Sequence, residues 1–586
     1  MQSTSWSVIG ALLVFMPVGP RLPTQCGNGN PGTVECVSTT AQGLPSMGSY
    51  VSQLGMSRSG RFVAFQTDGA LVPEDVNQAD DCYLKDVETG LVHLCSKSTS
   101  GVTSGFGADY PRLSGDGRLV TFSTVWPLES NDQNSRQDVY VRDWQAAVTE
   151  LISVNPSGVA GNGFSFSGDV SGDGRWVIFG SSSTDLVVGD TNGKDDLFLR
   201  YRRLNTTEIV SLSSSGEQGN GVSSQRATIS DDGRFIAFSS WATNFAEGDN
   251  NATIDLFLRD RALGTTVLID HAWQGGTPVL GAYDPRISAD GAWVAFMSES
   301  PNLVSYPVPG FGFIKVFYAS TRTGEIQWAS HAIGGGWPVG ACGLGYLSDD
   351  GRYLSMWCSG QDFTTIPVPA QGAHAYVYDR LRHEHCLLSR TPAGAAANDF
   401  SVAHGISGDG RYVVVFSKAT DFAPGPPPGP FGQAYRLDRG QSSGAFMYCT
   451  PQTIGPGCEV LLDASGSPSV SQGFGFHLSA DLLPNAQRAN LVYSLSGSTN
   501  LPFGSGRLCI AAPPARVGFV STGGQATGSD CSGSFDFDFN SRIASGVDPA
   551  LIAGQQVWAQ LWVRAPGQIG LARHAFSDAA AFAIGP

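Results

Sequence analysis

The sequence has little positive charge. Of its 586 residues, 35 are Lys or Arg and 51 are Asp or Glu, which gives a formal net charge of −16. Binding to nucleic acid needs basic stripes or patches, and attraction to an anionic membrane surface needs clusters of Lys and Arg. The charge balance therefore excludes nucleic acid as a partner and argues against an anionic membrane surface.

Long apolar runs are also missing. A helix that spans a bilayer needs about 20 consecutive apolar residues, whereas the run at residues 8–18 is shorter. Its length and position match the hydrophobic region of a secretion signal. We therefore predict a signal over residues 1–25, no membrane span in the mature chain, and an extracellular, periplasmic or cell-surface location.

Apolar residues nowhere follow the 3.6-residue period of a helix over a useful length, so strands are predicted throughout. One motif recurs seven times, a glycine turn followed by an alternating strand, as in SGDGRWVIF at residues 171–179. The units repeat about every 58 residues, and long repeats of this kind are typical of solenoids and propellers. The turn glycines are Gly60, Gly117, Gly174, Gly233, Gly291, Gly351 and Gly410.

Each unit contains four candidate strands. After the turn strand comes a run with an aromatic third residue, such as DVYVRD at Asp138–Asp143, and then a shorter run such as TELIS at residues 149–153. The segment before the turn is the fourth candidate. Radial stacking of such sheets buries both faces and protects the edges. The sequence therefore predicts an all-β fold, a seven-bladed β-propeller of four-stranded blades over residues 26–441.

The two ends of the repeat region allow two ways of closing the ring. TVECVS at residues 33–38 has the pattern of a fourth strand without a blade, and the seventh unit ends at residue 440 without a clear fourth strand. Either TVECVS completes the last blade, or GAFMY at residues 444–448 does so and TVECVS is only a lead-in. We expect the first arrangement.

The repeat resembles the TolB-type propeller repeat, a relative of the WD repeat. The similarity covers about residues 45–440 and rests on the S-x-D-G-R-aromatic-V-A-F turn and on the following D-V-F-V-R-D run. The fifth unit departs from it, because Ala292 replaces the Arg and KVFYAS at Lys315–Ser320 lacks the flanking acids. The resemblance implies a rigid disc whose central funnel binds a ligand, most often a protein or peptide. The same scaffold also serves enzymes, so the fold alone does not fix the function.

Residues 445–586 have the length of one further domain. Strict alternation in SFDFDF at residues 534–539 and VWAQLWV at residues 557–563 predicts half-buried strands, and we predict a small β-sandwich. Trp558 and Trp562 fall on one face of their strand, where they either pack into the core or bind a glycan. The segment resembles tail domains of secreted bacterial proteins, which implies surface or extracellular placement.

The eleven cysteines include no C-x-x-C pair, which argues against a structural zinc site. Two pairs lie symmetrically about turns, and cross-strand placement suits disulfides in an oxidising compartment. Cys386 is left over. The disulfide candidates are Cys82 with Cys95, Cys342 with Cys358, Cys26 with Cys36, and in the tail Cys449, Cys458, Cys509 and Cys531, with three connectivities open.

A D-x-N-x-x-x-D pattern precedes the aromatic strand of several units. Three oxygen-bearing side chains on one loop suit Ca²⁺, although none of the loops offers the terminal bidentate Glu. The alternative is an Asx turn in which Asp and Asn bond their own backbone. The possible calcium ligands are Asp75, Asn77 and Asp81; Asp190, Asn192 and Asp196, the best single candidate; and Asp249, Asn251 and Asp255.

The funnel is the default binding site. Residues just before each turn are expected to line the innermost strands, and two equivalent arginines, Arg112 and Arg286, suit a carboxylate unless they form salt bridges between blades. The funnel candidates are Tyr110, Arg112, Asp169, Arg226, Tyr283, Arg286, Tyr346 and His404.

The sequence thus favours a secreted or cell-surface, non-enzymatic binding module with a protein, peptide or glycan as partner. One alternative is a propeller-type carbohydrate-active enzyme, a lyase or glycosidase, which requires a converging carboxylate pair at the funnel. Another is a structural spacer in an outer layer.

Overall fold

The computed structural model describes most of the repeat region and parts of the tail. The predicted signal at residues 1–25 and Cys26 lie outside the described residues. The described residues are 33–48, 50–247, 249, 251–305, 313–333, 338–370, 372–423 and 431–439, then 445–448, 463–465, 477–483, 487–496, 498–503, 506–510, 515–521, 533–553, 555–564 and 574–584.

Seven four-stranded antiparallel sheets lie within the described part of residues 33–439, and we number them sheets 1 to 7 along the chain. The first four are built from consecutive strands. Their strands are Val51–Met56, Phe62–Thr67, Asp81–Asp86 and Val92–Leu94 in sheet 1; Asp109–Leu113, Leu119–Thr124, Asp138–Asp143 and Val148–Leu151 in sheet 2; Ser165–Val170, Trp176–Ser181, Asp196–Tyr201 and Thr206–Ile209 in sheet 3; and Ser223–Ile229, Phe235–Ser240, Asp255–Asp260 and Thr265–Leu268 in sheet 4.

Sheets 5 and 6 follow the same order, whereas sheet 7 takes its fourth strand from the other end of the chain. Their strands are Ala282–Ile287, Trp293–Ser298, Lys315–Ser320 and Ile326–Trp328 in sheet 5; Cys342–Leu347, Tyr353–Cys358, His374–Asp379 and Glu384–Leu387 in sheet 6; and Ser401–Ile406, Tyr412–Ser417, Gln433–Asp438 and Val34–Cys36 in sheet 7.

The sheets form a closed ring around an axis. The first strand of each sheet contacts the first strand of the next, and the first strand of sheet 7 contacts that of sheet 1. Backbone hydrogen bonds join neighbouring turns: Arg58 N–H donates to Gly115 O, Gly115 N–H to Gly172 O, and Gly408 N–H back to Arg58 O, each at 2.9 Å. The first strands are therefore the innermost ones, and the all-β propeller prediction is confirmed.

The N-terminal segment completes sheet 7. Val34 lies opposite Leu437 and Cys36 opposite Tyr435, and an ion pair of 3.1 Å joins Arg436 Nη2 to Glu35 Oε2. The rival segment, Ala445–Tyr448, pairs with His574–Ala583 in the tail instead. Of the two ways to close the ring, the structure has the first.

The recurrent turn glycine is needed for two reasons. Gly60 has φ +72° and Gly233 φ +71°, in the left-handed region that favours glycine. Each also lies against a ring of the preceding sheet, Gly60 against Tyr412 and Gly233 against Trp176, where a Cβ atom would clash. The glycine and the ring residue of the D-G-R-aromatic motif are thus partners between neighbouring sheets.

Arginine and aspartate of the motif are partners within a sheet. In sheets 1, 2, 4, 6 and 7 the Arg after the turn glycine pairs with the Asp that ends the third strand, as in Arg352 and Asp379, which are both buried. In sheet 3 that strand ends at Tyr201, and Arg175 pairs with Asp173. Sheet 5 has Ala292 and Ser320 at these positions and lacks both charges. The pairs and their N–O distances are Arg61–Asp86, Arg118–Asp143, Arg234–Asp260 and Arg411–Asp438 at 2.7 Å and Arg352–Asp379 at 3.0 Å.

The tail strands form three sheets within the described residues. The five-stranded sheet has the order Ala445–Tyr448, His574–Ala583, Gln556–Arg564, Arg488–Ser494 and Ala515–Ser521. The three-stranded sheet has the order Asp463–Ser465, His477–Leu483 and Gly533–Asp538, and the two-stranded sheet contains Ser498–Phe503 and Gly506–Ile510. A short helix, Phe539–Ala544, follows Gly533–Asp538.

One buried cluster joins the five- and three-stranded sheets, with Leu478 and Phe535 on one side and Val557 and Leu561 on the other. The β-sandwich stays a prediction. Trp558 and Trp562 alternate with those core residues along their strand and are only half-buried, so their placement in the core was wrong.

Four cysteine predictions have an outcome in the structure. Cys342 and Cys358 form a disulfide, and Cys386, which was left over, is also disulfide-bonded. Cys82 and Cys95 are free thiols, because symmetry about a turn aligns the backbones but does not fix the side-chain directions. The Cys82 thiol donates to Ala108 O at 3.4 Å, and that of Cys95 to His93 O at 3.7 Å.

Cys36 is likewise a free thiol. It lies in the strand that closes the ring, where its Sγ atom is 3.9 Å from Ser38 Oγ, so its predicted pairing with Cys26 was wrong. The side chains of the four tail cysteines, Cys449, Cys458, Cys509 and Cys531, lie outside the described residues.

Candidate functional site

The ring has two different faces because connections between antiparallel strands alternate from side to side. One face, here the turn face, has the glycine turns between first and second strands. The other, the loop face, has the segments that lead into the first strands and the loops between second and third strands.

Arg58 lies across the channel at the turn face. Its Nη2 atom contacts the Asp231 carboxylate, and its Nε atom is 3.3 Å from Asp349 Oδ1. These residues belong to sheets 1, 4 and 6, and sheets 1 and 4 lie on opposite sides of a seven-membered ring. The Arg58 side chain therefore crosses the axis and closes this mouth.

A cationic layer lies immediately inside that mouth. Arg112 and Arg286 both place their guanidinium groups over the ring of Tyr346, with Cζ atoms 5.8 Å and 4.9 Å from its centroid. Separations below about 6 Å are attractive cation–π contacts. Three innermost strands, from sheets 2, 5 and 6, thus bring two positive charges to one aromatic ring.

Two hydrogen-bond donors of this layer are unsatisfied. Arg286 Nε and the Tyr346 hydroxyl are buried, and neither forms a hydrogen bond to any described protein atom. Buried donors normally have partners, because leaving one unpaired costs about 1–3 kcal/mol. Their position beside two guanidinium groups suits an acceptor with negative charge.

Acidic side chains balance part of this charge. Asp284 is 2.9 Å from Arg286 Nη1 and 3.2 Å from Arg226 Nη1. Burial favours its neutral form, but the two arginines outweigh burial and hold the pKa of Asp284 below its ordinary value. Asp169 is buried deeply, which raises its pKa, and Arg112 opposes that rise.

His404 completes the layer from sheet 7. Burial, together with the positive charges of Arg112 and Arg286, lowers the pKa of His404 to about 4. The imidazole is therefore neutral at pH 7 and adds no charge. Of the eight predicted funnel residues, Arg112, Asp169, Arg286, Tyr346 and His404 lie together, and Arg226 joins them through Asp284.

The remaining two funnel residues stand apart from the layer. Tyr110 is exposed, and Tyr283 is half-buried, which raises its pKa, near Glu299. Tyr110 and Asp284 have positive φ values, +58° and +57°, at bulges where their strands shift register. Such bulges re-aim neighbouring side chains and occur next to binding sites, here beside the two channel arginines.

The loop face exposes apolar side chains around the open mouth. In each of sheets 1 to 6, one such residue lies up to four positions before the first strand. We call this set the apolar rim, and its exposed fractions are Met47 92%, Phe106 74%, Phe164 44%, Val222 40%, Val279 51% and Val339 73%. A cavity of about 500 Å³ adjoins the rim between Met47 and Phe431.

The possible calcium loops have the contacts of turns. Asn77 Nδ2 donates to Asp81 Oδ2 at 2.8 Å, and Asn77 Oδ1 accepts from its own loop backbone. Asn251 does the same with Asp255. An amide donor aimed at a carboxylate does not fit a shared cation. The same Asn also bonds a carbonyl 27 residues later, Ser104 O for Asn77 and Pro278 O for Asn251.

The loop at residue 190 differs in one respect. Both Asp190 carboxylate oxygens are buried and accept no hydrogen bond from a described atom, while Asn192 Nδ2 donates to Gly219 O. Calcium in this loop stays a prediction. Across the described residues, no group of three or more His, Cys, Asp or Glu side chains is arranged to hold a metal ion.

Sequence reasoning missed Arg58, Asp231 and Asp349. The repeat could have identified these three residues. The residue after the turn serine is Gly or Ala in sheets 2, 3, 5 and 7, but it is charged in sheets 1, 4 and 6. Asp284, also missed, lies two residues before Arg286 and pairs with it.

No known family matches the chain, and no curated protein matches it. Similar solved structures include a putative TolB from Agrobacterium tumefaciens, with 14% identity, coverage of 50% of this chain and 86% of that chain, and a TM-score of 0.31.

Two further similar structures are enzymes or parts of enzymes. One is the β-propeller domain of the Trilobed protease from Pyrococcus furiosus, with 10% identity, coverage of 66% and 95%, and a TM-score of 0.40. The other is oligogalacturonate lyase from Vibrio parahaemolyticus, with 12% identity, coverage of 70% and 90%, and a TM-score of 0.38. Similarity at this level carries no site or activity over to this chain.

Proposed function

We propose that this chain is a non-enzymatic binding module, secreted or displayed at the cell surface, that takes an anionic group of its ligand into the central channel. The observation that supports the proposal is the pair Arg112 and Arg286 around Tyr346, with two buried donors that lack partners. Guanidinium groups bind carboxylates through paired, charge-assisted hydrogen bonds.

The compartment is part of the proposal. Disulfides persist in oxidising environments and are rare in the cytosol, and Cys342 and Cys358 are bonded across neighbouring strands of sheet 6. Among the described residues, no helix is both long and apolar enough to cross a bilayer. The disulfide supports a secreted, periplasmic or surface location.

Binding is favoured over catalysis by the state of the two channel carboxylates. Asp284 is engaged by two arginines, and Asp169 accepts the backbone N–H groups of Val170 and Ile229. A glycosidase needs one carboxylic acid and one free carboxylate facing the substrate. Neither Asp169 nor Asp284 is left free in this way.

The test uses the whole mature protein on arrays of acidic and neutral peptides and glycans. A variant with Arg112→Gln and Arg286→Gln should lose at least about tenfold in affinity for the acidic ligands that the wild type binds. The matched control, Arg118→Gln with Arg203→Gln, removes two charges outside the channel and should bind normally. Equal binding by the channel variant overturns the proposal. If the protein cleaves a polysaccharide and Asp169→Asn abolishes that cleavage, the carbohydrate-active enzyme is favoured instead. If the protein binds none of the ligands, the structural spacer is favoured.

A further inference from the structure

We infer that the anionic group is the free C-terminal carboxylate of a polypeptide, which enters the channel end-on from the loop face. The inference rests on the proposed function, since it specifies the ligand of the same site.

The channel is closed at the turn face and open only at the loop face. At the turn face, backbone hydrogen bonds join six of the seven pairs of neighbouring turns, and seven positions at a strand spacing of about 4.8 Å form a ring with a radius of about 5–6 Å. The Arg58 side chain then crosses this ring to Asp231. A polymer therefore cannot thread through the disc, and an extended chain that enters from the loop face must stop at the cationic layer.

The depth of the site selects a chain end. Arg112 and Arg286 lie near the turn-face ends of their first strands, and both guanidinium groups lie over the Tyr346 ring. An internal Asp or Glu reaches this depth only if the chain enters and leaves through the same narrow space. A terminal carboxylate needs room for one chain, and its two oxygens can accept from Arg286 Nε and from the Tyr346 hydroxyl, which have no described partner.

The apolar rim favours a polypeptide over a glycan. Four of its six members, Met47, Val222, Val279 and Val339, are aliphatic, and aliphatic side chains offer no stacking face to a sugar ring. Exposed apolar residues that surround a polar site are typical of protein interaction surfaces. The rim therefore fits apolar side chains upstream of the terminus.

The experiment compares two random heptapeptide pools, biotinylated at the N-terminus, one with free C-terminal carboxylates and one with C-terminal amides. Acidic oligosaccharides form a third arm. We expect the whole protein to bind the free-acid pool at least about tenfold more tightly than the amide pool, because a hydrogen bond to a charged group is lost in the amide. Tyr346→Phe should weaken binding of the free acids several-fold without lowering thermal stability, since its hydroxyl has no described protein partner. The control Arg118→Gln should bind both pools like the wild type.

The outcomes separate the two proposals. If both pools bind equally and the Arg112→Gln, Arg286→Gln variant loses both, the anion site stands and end-on recognition is wrong. If the channel variant binds like the wild type, the proposed function itself fails. If only the oligosaccharides bind, and the Arg112→Gln, Arg286→Gln variant loses that binding, the inference of a polypeptide ligand is wrong. The absence of binding in all three arms also contradicts it. Unchanged affinity in Tyr346→Phe contradicts the assigned contact without relying on a variant that could misfold.

Discussion

Gly60, in the first sheet of the ring, lies directly against the ring of Tyr412, in the last sheet. The same glycine-to-ring contact joins five of the other six pairs of neighbours, as in Gly233 and Trp176 of sheets 4 and 3, and in the sixth pair Gly174 lies against Leu119. Two chain segments 352 positions apart (412 − 60) therefore meet through the same local motif that joins consecutive sheets. The repeated motif encodes the contact between neighbouring sheets. The same contact, between the last sheet and the first, closes the ring.

Gly233→Ala should destabilise the protein through this contact. The new Cβ atom adds left-handed backbone strain of about 1–2 kcal/mol and a clash with Trp176, so we expect a total loss of about 3–4 kcal/mol in the free energy of unfolding. Chemical denaturation measures it. The matched control is Gly264→Ala, which has a similar φ of +68° but nothing within 4 Å, and it should show only the strain. Equal losses in the two variants would mean that the ring contact contributes nothing.

The pair Arg352 and Asp379 should behave as a unit. Arg352→Ala removes the guanidinium that pairs with the buried Asp379 and leaves that carboxylate with the backbone N–H groups of Leu381 and Arg382, and we expect a loss of about 3 kcal/mol. The double variant Arg352→Ala, Asp379→Ser copies the residue types of sheet 5 and should lose less than the sum of the two single variants. A double-mutant cycle in urea measures the coupling. The exposed pair Arg118 and Asp143 serves as the control, with an expected coupling below about 1 kcal/mol, and additive effects at Arg352 would contradict the prediction.

Sheet 4 contains a carboxylate where the six other sheets have serine. Ser96, Ser153 and Ser211 each donate to the first Asp of the third strand, as from Ser153 to Asp138 at 2.6 Å. In sheet 4 this position is Asp270, which accepts the Leu256 N–H but cannot donate to Asp255 unless it is protonated. Burial, together with the charge of its neighbour Asp249, raises the pKa of Asp255 to about 6, and burial beside Asp255 raises that of Asp270.

Stability should therefore fall as the pH rises through this window. Because the folded-state pKa of Asp255 lies above its ordinary value near 3.8, its favourable contribution is complete below about pH 4 and is lost as the pH rises through 6. Asp270→Ser should stabilise the protein by about 2 kcal/mol at pH 7, and the gain should shrink towards pH 4. Thermal unfolding from pH 4 to 8 checks this, with Ser211→Ala as a control that alters the same position in sheet 3. A gain that is independent of pH would be incompatible with the explanation.

The three free thiols should be unreactive in the folded protein. Burial raises the pKa of Cys36 to about 11 and that of Cys95 to about 12, and it also raises the pKa of Cys82 well above its ordinary value. Alkylation at pH 8, followed by peptide mapping, should label none of them in the native state and all of them in denaturant without a reductant. Cys342 and Cys358 are the internal comparison, because their peptides should need a reductant. If Cys82 and Cys95 also need one, they form the disulfide that their spacing suggested.

The fold could be predicted from the sequence because the same structural motif occurs in each repeat. The turn glycine, the ring residue and the Arg–Asp pair occur often enough to identify the sheets and their contacts. The site depends on exceptions to the repeat. Arg58 occupies a position that is small in four other sheets, and only the closed ring brings it opposite Asp231.

The thiol directions were beyond sequence reasoning for a similar reason. The spacing of Cys82 and Cys95 about their turn gives the backbone register, and the side-chain rotamers depend on packing against the next sheet. Arg112 and Arg286 were identifiable as equivalent positions in two units. Their meeting at Tyr346 depends on three strands that are distant in the sequence.

The strand Val34–Cys36 also sets the order in which the molecule can be completed. It is the first strand of the ring to be synthesised, and its partner, Gln433–Asp438, emerges roughly 400 residues later. Bringing such distant segments together is entropically slow. During synthesis this strand must wait with an unpaired edge, so the ring closes in one late step, when its first strand pairs with its last.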